Sequence, residues 1–94
     1  MAKLKRYLIE RGLPGVGGMS IVELCGASRA SNAAIEKLQP NIQWVHSYVA
    51  DDRTFCIYLA DDETTIHAHS ELSGIPVQSV TEIVQIIDPL TANN

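Results

Sequence analysis

The chain has 94 residues, of which 46% are hydrophobic and 19% are charged, a composition typical of one folded domain. Its net charge of −4 argues against a nucleic-acid-binding protein, and no apolar run approaches the ~18–20 residues that span a bilayer. Two cysteines are too few for a disulfide scaffold, and the first residues lack a signal-peptide core, so we expect a cytoplasmic protein. The sequence predicts a single domain over residues 1–94, with flexible ends at about 1–3 and 90–94.

The first predicted elements are a strand and a helix, joined by a glycine-rich connection. Residues 4–12 alternate between apolar and charged side chains, which is the period-2 pattern of a strand. Pro14 and the glycines after it break this strand. Ser20 and Glu23 form the Ser-x-x-Glu capping box that begins a helix, and Pro40 ends the helix.

A β-hairpin is predicted after the first helix. Residues 42–50 and 54–60 are rich in β-branched and aromatic side chains, and Asp51 and Asp52 lie between them as turn residues. The loop contains either two or three residues, and this choice shifts the pairing of the strands by one residue. The sequence leaves both registers open.

A second helix and a last strand complete the predicted domain. Asp61 or Asp62 caps the helix, and Gly74 closes it. The apolar character of residues 77–88 predicts the last strand, and Pro89 ends that strand. The order of elements is therefore β-α-β-β-α-β.

This order predicts an α+β protein with the ferredoxin-like fold, in which a four-stranded antiparallel sheet carries both helices on one face. The predicted strands are nevertheless apolar on both faces: in the last strand, Ile83 and Ile87 oppose Val84 and Ile86. A sheet with one solvated face would alternate between apolar and polar side chains. We therefore expect a homodimer packed sheet to sheet, with a different partner or a large ligand as alternatives.

Polar and aromatic residues within the strands are the candidates for a functional site. Alternation puts Trp44, His46 and Tyr48 on one face of their strand, and Cys56 and Tyr58 on one face of the next. A three-residue hairpin loop would pair His46 with Tyr58, whereas a two-residue loop would shift this pairing by one residue. The sequence does not decide whether the two sets of side chains meet.

Four side chains supply nitrogen, oxygen and sulfur donors for a divalent transition metal, namely His46, His69, Glu10 and Cys56. His69 lies on or beside the apolar stripe of the second helix. Glu10 lies in the middle of the first strand, where a buried carboxylate needs a partner. Imidazole and carboxylate ligands suit nickel, zinc or copper. Alternatively, His46 is a hydrogen-bonded strand residue with no ligand.

A second interpretation assigns the same region to an organic ligand. Trp44, Ser47, Tyr48 and Tyr58 would line a pocket for a small molecule, with no organic cofactor. In an enzyme of this kind His46 is the candidate general base. No spacing of a catalytic triad is present, so the catalytic residues are unassigned and the enzyme question stays open.

A third interpretation is a structural or regulatory dimer without a site. Glu10 would then form a salt bridge with Arg11 or with a lysine of the partner subunit. Side chains would fill the cavity of the dimer, and no ligand would enter.

Several stretches of the chain resemble one family. They are Tyr7-Leu-Ile-Glu-Arg-Gly-Leu-Pro-Gly, Ile42-Gln-Trp-Val-His-Ser-Tyr-Val and Asp51-Asp-Arg-Thr-Phe-Cys-Ile-Tyr-Leu-Ala, continued by Gly74-Ile-Pro and Ile87-Asp-Pro. On these stretches the chain resembles the small bacterial family called nickel-binding-protein-like, a domain of unknown function. The positions that this family shares fall on Glu10, Trp44, His46, Ser47, Tyr48, Cys56, Tyr58 and His69.

The resemblance implies a ferredoxin-like fold in a dimeric α+β barrel, and nickel binding by at least one relative. Dimeric α+β barrels also include monooxygenases and isomerases that work in the barrel cavity. The chain departs from the family at His67, where relatives often carry Arg, and at Gly12, where an acidic residue is common. We therefore expect a homodimer that binds nickel or another divalent metal, with a cofactor-free enzyme or small-molecule binder as the alternative.

Overall fold

The computed structural model describes residues 3–94 and contains a four-stranded sheet and two α-helices. The elements are β1 (Lys5–Gly12), α1 (Ile21–Leu38), β2 (Ile42–Val49), β3 (Arg53–Ala60), α2 (Glu63–Ser73) and β4 (Ser79–Ile83). Short 3-10 turns follow β1 at Val16–Gly18 and β4 at Pro89–Asn93. Met1 and Ala2, which belong to the predicted flexible start, lie outside the described residues.

The sheet has the strand order β2-β3-β1-β4, and every neighbouring pair is antiparallel. Both helices pack on the same face of this sheet. The hydrophobic core lies between the helices and the sheet and includes Tyr7, Ile9, Ile42 and Ile66. The element order, the strand order and the helix placement confirm the predicted ferredoxin-like fold.

Both helices begin at side chains that the sequence predicts as caps. The Ser20 hydroxyl accepts a hydrogen bond from the Glu23 N–H at 3.2 Å, and the Glu23 carboxylate accepts one from the Ser20 N–H at 3.0 Å. Of the two candidate aspartates, Asp62 is the cap of α2, and Gly74 ends that helix with a φ of 75°. In the described part of the chain, neither helix has the length and apolarity needed to cross a membrane.

The β2–β3 hairpin contains a β-bulge that the sequence analysis did not predict. His46 has the partner that a two-residue loop requires, but Trp44 pairs with Tyr58, which leaves Val45 without a partner. The extra residue turns Trp44 to the helix-covered face of the sheet, while His46 and Tyr48 face the other side. The prediction that Trp44, His46 and Tyr48 share one face is therefore wrong.

We call the sheet face away from the helices the open face. The strand register assigns to it Leu8, Glu10, His46, Tyr48, Phe55, Ile57 and Leu59. Its four apolar side chains from β1 and β3 are only half-buried in a single chain. The predicted two-faced apolar character of the sheet is thus present in the structure.

The last strand is shorter than predicted. The sequence predicts a strand over residues 77–88, but β4 stops at Ile83. Ile83 pairs with Arg6, and β1 begins only one residue earlier at Lys5, so the chain beyond Ile83 has almost no strand left to pair with. Val84, the next residue, is 86% exposed. Strand length here depends on the partner strand and not on local apolar character.

The predicted flexible tail has local structure. Pro89–Asn93 forms an exposed 3-10 turn, and the Asp88 carboxylate caps it by accepting a hydrogen bond from the Leu90 N–H at 2.9 Å. The mobility of residues 90–94 stays a prediction.

Candidate functional site

A cavity of about 460 Å³ lies between the helices and the sheet, at the end of the molecule where β1 leaves the sheet. We call it the helix-side cavity. Most of its wall is apolar, contributed by Leu13, Pro14, Val16, Met19, Leu24, Ala27, Val49, Ile75 and Pro76. Ala27, Val49 and Pro76 are exposed, so the cavity opens to solvent.

The Tyr58 ring forms one side of the cavity and is the centre of a group of aromatic and charged side chains. It stacks on Trp44, with 6.3 Å between the ring centroids and 18° between the planes. The His69 ring lies 4.9 Å from it in a tilted arrangement, and the Arg11 guanidinium carbon lies 5.9 Å from its centroid. β1, β2, β3 and α2 each contribute one of these four side chains, so the folded sheet and helix assemble the group.

A buried chain of hydrogen bonds runs from the sheet to α2. The Ser31 hydroxyl, on α1, lies 3.1 Å from the Tyr58 hydroxyl and 3.0 Å from Nε2 of His69. Burial, with a smaller effect from the Arg11 charge, lowers the pKa of His69 from 6.5 to about 4. Burial also raises the pKa of Tyr58 above its ordinary value. His69 is therefore a neutral imidazole and Tyr58 a neutral phenol at pH 7.

Arg11 is a functional candidate that the sequence analysis missed. It is 2% exposed, and its Nη1 donates to the backbone carbonyls of Ile75 and Pro76, each at 3.1 Å. Its Nη2 is buried and has no hydrogen-bond partner among the described residues. The available signal was its alternation with Tyr7 and Ile9, which puts an arginine on the apolar face of β1.

Four of the predicted site residues line the helix-side cavity: Trp44, Ser47, Cys56 and Tyr58. The Trp44 indole N–H donates to the Ser47 hydroxyl at 2.9 Å. The Cys56 thiol is buried, 3.5 Å from the Thr54 hydroxyl. His69 does not line the cavity, but a hydrogen bond to Ser31 links it to Tyr58 in the cavity wall.

The other predicted residues lie on the open face. Nε2 of His46 and the Tyr48 hydroxyl form a hydrogen bond of 3.1 Å. Glu10 accepts a hydrogen bond from the Ser79 hydroxyl at 2.8 Å and lies 3.7 Å from Nη1 of Arg53. The prediction that Glu10 needs a polar partner is confirmed. The suggested partner Arg11 is wrong, because Arg11 lies on the opposite face of β1.

The four predicted metal ligands do not converge within one chain. The sheet separates Glu10 and His46, on the open face, from Cys56 and His69, on the helix side. Over residues 3–94, no group of three or more His, Cys, Asp and Glu side chains could hold a metal ion. A single protomer therefore does not supply the predicted nickel site.

A second depression, of about 580 Å³, lies at the other end of the sheet. The start of β1 and the extended chain after β4 form its walls, including Lys3, Lys5, Val84 and Ile86. It contains none of the predicted site residues, and the Val84 and Ile86 side chains are largely exposed. The helix-side cavity is the better candidate because buried polar groups meet there.

Comparison with known proteins identifies the family. The model of the family described as nickel responsive protein SCO4226-like matches residues 7–83. The crystal structure of SCO4226 from Streptomyces coelicolor A3(2) matches with a TM-score of 0.72 and 17% identity, over 87% of this chain and 99% of that chain. No curated protein matches the chain. The chain belongs to the SCO4226-like family, which confirms the resemblance, and the structural likeness confirms the fold.

Proposed function

We propose that the protein binds a small, mainly apolar organic molecule in the helix-side cavity. The observation that carries this proposal is the cavity of about 460 Å³, open to solvent and mostly apolar, in an otherwise small domain. Protein interiors are close-packed, and ligand sites are typically concave, apolar spaces of about 300–1,000 Å³ with a few placed polar groups. The helix-side cavity has these properties.

The polar groups of the cavity are held in place before any ligand arrives. Two backbone carbonyls fix Arg11, the Ser31 hydroxyl fixes Tyr58, and the Trp44 indole is bound to Ser47. Side chains that are already ordered cost little entropy when they receive a ligand. This arrangement favours a binding site over an accidental packing defect.

The cavity can be tested with the single tryptophan of the chain as a reporter, because Trp44 lines it. A set of small organic molecules would be screened for a shift in Trp44 emission together with a rise in melting temperature. The variant Ala27→Phe places a ring at the cavity wall, and Ala33→Phe places the same ring on an exposed site of α1 outside the cavity.

Binding should be lost in Ala27→Phe and kept in Ala33→Phe. A ligand that binds both variants as it binds the parent chain would lie elsewhere and would contradict the proposal. The proposal would also be contradicted if nothing bound from a set of acids, amines and neutral molecules small enough for a cavity of about 460 Å³.

A second candidate function is binding of Ni²⁺ on the open face, and its support is the description of the family as nickel responsive. His46 is exposed there, beside Tyr48. Glu10, on β1, lies two strands from β2, or roughly 10 Å, which is too far to share an ion with His46 in one chain. We therefore propose that a second copy of the chain supplies the missing ligands.

The open face also supports the proposed homodimer. Leu8, Phe55, Ile57 and Leu59 are half-buried in the single chain, and Tyr48 is 60% exposed. Together they form a contiguous apolar surface across the middle of the sheet. Surfaces of this kind mark sites of association, and a symmetric pair of copies would bury both at once.

The two cysteines support a cytoplasmic setting. Cys25 is exposed, Cys56 is buried, and both are free. An exposed thiol persists as a thiol in a reducing compartment. We accordingly propose that the dimer works in the cytoplasm.

The nickel proposal can be tested by calorimetric titration of untagged, chelator-treated protein of known mass in solution. Saturable binding at a fixed number of ions per protomer is expected in the parent chain. It should disappear in His46→Ala and persist in His67→Ala, which removes an exposed imidazole from α2. Unchanged binding in His46→Ala would overturn the assignment.

A further inference from the structure

Arg11 lines the helix-side cavity, and within residues 3–94 its guanidinium has no acidic partner. It is the one charged side chain among the described residues that line the cavity. A guanidinium group stays protonated at any pH at which proteins fold, so it cannot relieve its burial by losing a proton. The ion pair found within residues 3–94 joins Arg53 to Glu10 on the open face, so it does not involve Arg11.

The two ends of the Arg11 guanidinium differ. Nη1 is occupied, because it donates to two carbonyls on the segment after α2. Nη2 is screened from water and has no partner among the described residues. A buried charge with an unused donor is costly in the unliganded protein, and an acceptor that reaches it forms a strong hydrogen bond in a low dielectric.

We propose that the ligand of the helix-side cavity carries one carboxylate group, and that the Arg11 guanidinium turns Nη2 from its buried position toward the cavity to bind it. This inference rests on the proposed function, since it requires the cavity to be a binding site. The mainly apolar wall would hold the rest of the molecule. The ligand class is therefore a small monocarboxylic acid with an apolar body.

The charge count of the cavity favours a carboxylate over a phosphate. Arg11 supplies a single positive charge, which balances a monoanion, whereas a phosphate monoester carries about −1.5 to −2 at pH 7. The second donor close by is neutral. When Ser31 donates to the Tyr58 hydroxyl, the phenolic proton of Tyr58 becomes free to point at a ligand oxygen.

The test uses pairs of ligands that differ only in charge. Octanoate is compared with octanamide, and 3-phenylpropionate with 3-phenylpropanamide, by calorimetry and Trp44 emission at pH 7. Octyl phosphate is the third probe. We expect each carboxylate to bind about 10- to 100-fold more tightly than its amide, as for a hydrogen bond to a charged group, and more tightly than octyl phosphate.

The matched variants are Arg11→Met and Arg53→Met, which remove the same charge from opposite faces of the sheet. Arg11→Met should bring the affinity ratio of carboxylate to amide to about one. The affinity for the amide should stay within about threefold of that of the parent chain. Arg53→Met should keep the parent ratio. The comparison of acid and amide in the parent chain needs no variant, so the inference stays testable even if Arg11→Met does not fold.

The outcomes separate the inference from the proposed function. Amides that bind as tightly as the acids would overturn the carboxylate inference and leave the cavity as a binding site. Octyl phosphate that binds more tightly than octanoate would overturn the ligand class. If no probe and no other molecule binds the cavity, the proposed function fails and the inference fails with it.

Discussion

The Trp44 indole N–H donates a hydrogen bond to the Ser47 hydroxyl, with 2.9 Å between Nε1 and Oγ. In a regular strand, residues three apart face opposite sides of the sheet. The bulge at Val45 removes this obstacle, so both side chains reach the helix-side cavity. The same bulge sends His46 to the open face, so one extra residue divides the functional candidates of β2 between two surfaces.

Loss of the Ser47 hydroxyl should destabilise the protein. Ser47→Ala leaves the half-buried Trp44 N–H without its acceptor, and we expect the free energy of unfolding to fall by about 1 kcal/mol. Ser28→Ala is the matched control, because Ser28 lines the same cavity but its hydroxyl has no hydrogen-bond partner among the described residues. Denaturant titration should show a change within about 0.5 kcal/mol for that control. Equal effects of the two substitutions would contradict the role of the Trp44–Ser47 bond.

The fold was predictable because its signals are local. The capping box of Ser20 and Glu23, the aspartate cap of α2 and the left-handed Gly74 each depend on a few neighbouring residues. Alternating apolar residues located the strands. The end of β4 was not predictable in this way, since it depends on where its partner strand begins.

The site was only partly predictable, and the bulge is the main reason. Alternation assigns faces correctly only while a strand has no extra residue, and Val45 is a residue that regular strands also prefer. Trp44, Ser47, Cys56 and Tyr58 were predictable as site residues, but alternation places Trp44 on one face with His46 and Tyr48, and the bulge separates Trp44 from them. The register of the whole hairpin is needed before any of these side chains can be grouped.

Arg11 was missed for a different reason. A charged residue in a strand usually faces solvent, and Arg11 follows Glu10, which suggested an ion pair between neighbours. The structure buries Arg11 in line with Tyr7 and Ile9, and Glu10 pairs instead with Arg53. An arginine in phase with apolar strand residues was the signal, and a buried guanidinium calls for a polar partner.

The turn after β1 depends on a glycine that packs against the hairpin. A Cβ atom at Gly17 would lie 2.7 Å from the Ala50 carbonyl oxygen and 2.7 Å from the Asp51 Cα, both of them backbone atoms. Gly17→Ala should therefore lower the free energy of unfolding by about 1–3 kcal/mol, as overpacking does. At Gly18 a Cβ meets nothing within 4 Å, so Gly18→Ala should be neutral or stabilise by about 0.4–1 kcal/mol.

Thermal or denaturant unfolding of the two glycine variants side by side measures this difference. A Gly17→Ala protein as stable as Gly18→Ala would show that the turn moves away from the hairpin at little cost. It would also predict a mobile wall for the helix-side cavity, because Val16 and Met19 of the same turn line it.

The buried imidazole of His69 should make stability depend on pH. Its pKa is lowered to about 4 in the folded chain, from an ordinary value of 6.5. Between these values the unfolded chain binds a proton that the folded chain does not, so the free energy of unfolding falls as the pH falls from 6.5 towards 4. Above pH 6.5 the imidazole is neutral in both the folded and the unfolded chain, so this loss of stability is absent.

Comparison of variants isolates His69 from the carboxylates that also titrate in acid. His69→Gln should show a smaller loss of melting temperature between pH 6.5 and pH 4 than the parent chain. His67→Gln, an exposed position on the same helix, should follow the parent curve. Parallel curves for all three proteins would mean that the pKa of His69 in the folded chain is close to its ordinary value of 6.5.

A charge in the centre of the open face should dissociate the proposed homodimer. Ile57→Glu puts a carboxylate among the half-buried side chains of Leu8 and Phe55, where burial by a second copy would be costly, whereas a single chain leaves it in contact with water. We expect the parent chain to sediment as a dimer and Ile57→Glu as a folded monomer. Val22→Glu, on a 77% exposed site of α1, adds the same charge and should remain dimeric. A parent chain that sediments as a monomer at all concentrations would contradict the dimer, and with it the nickel site that two copies would share.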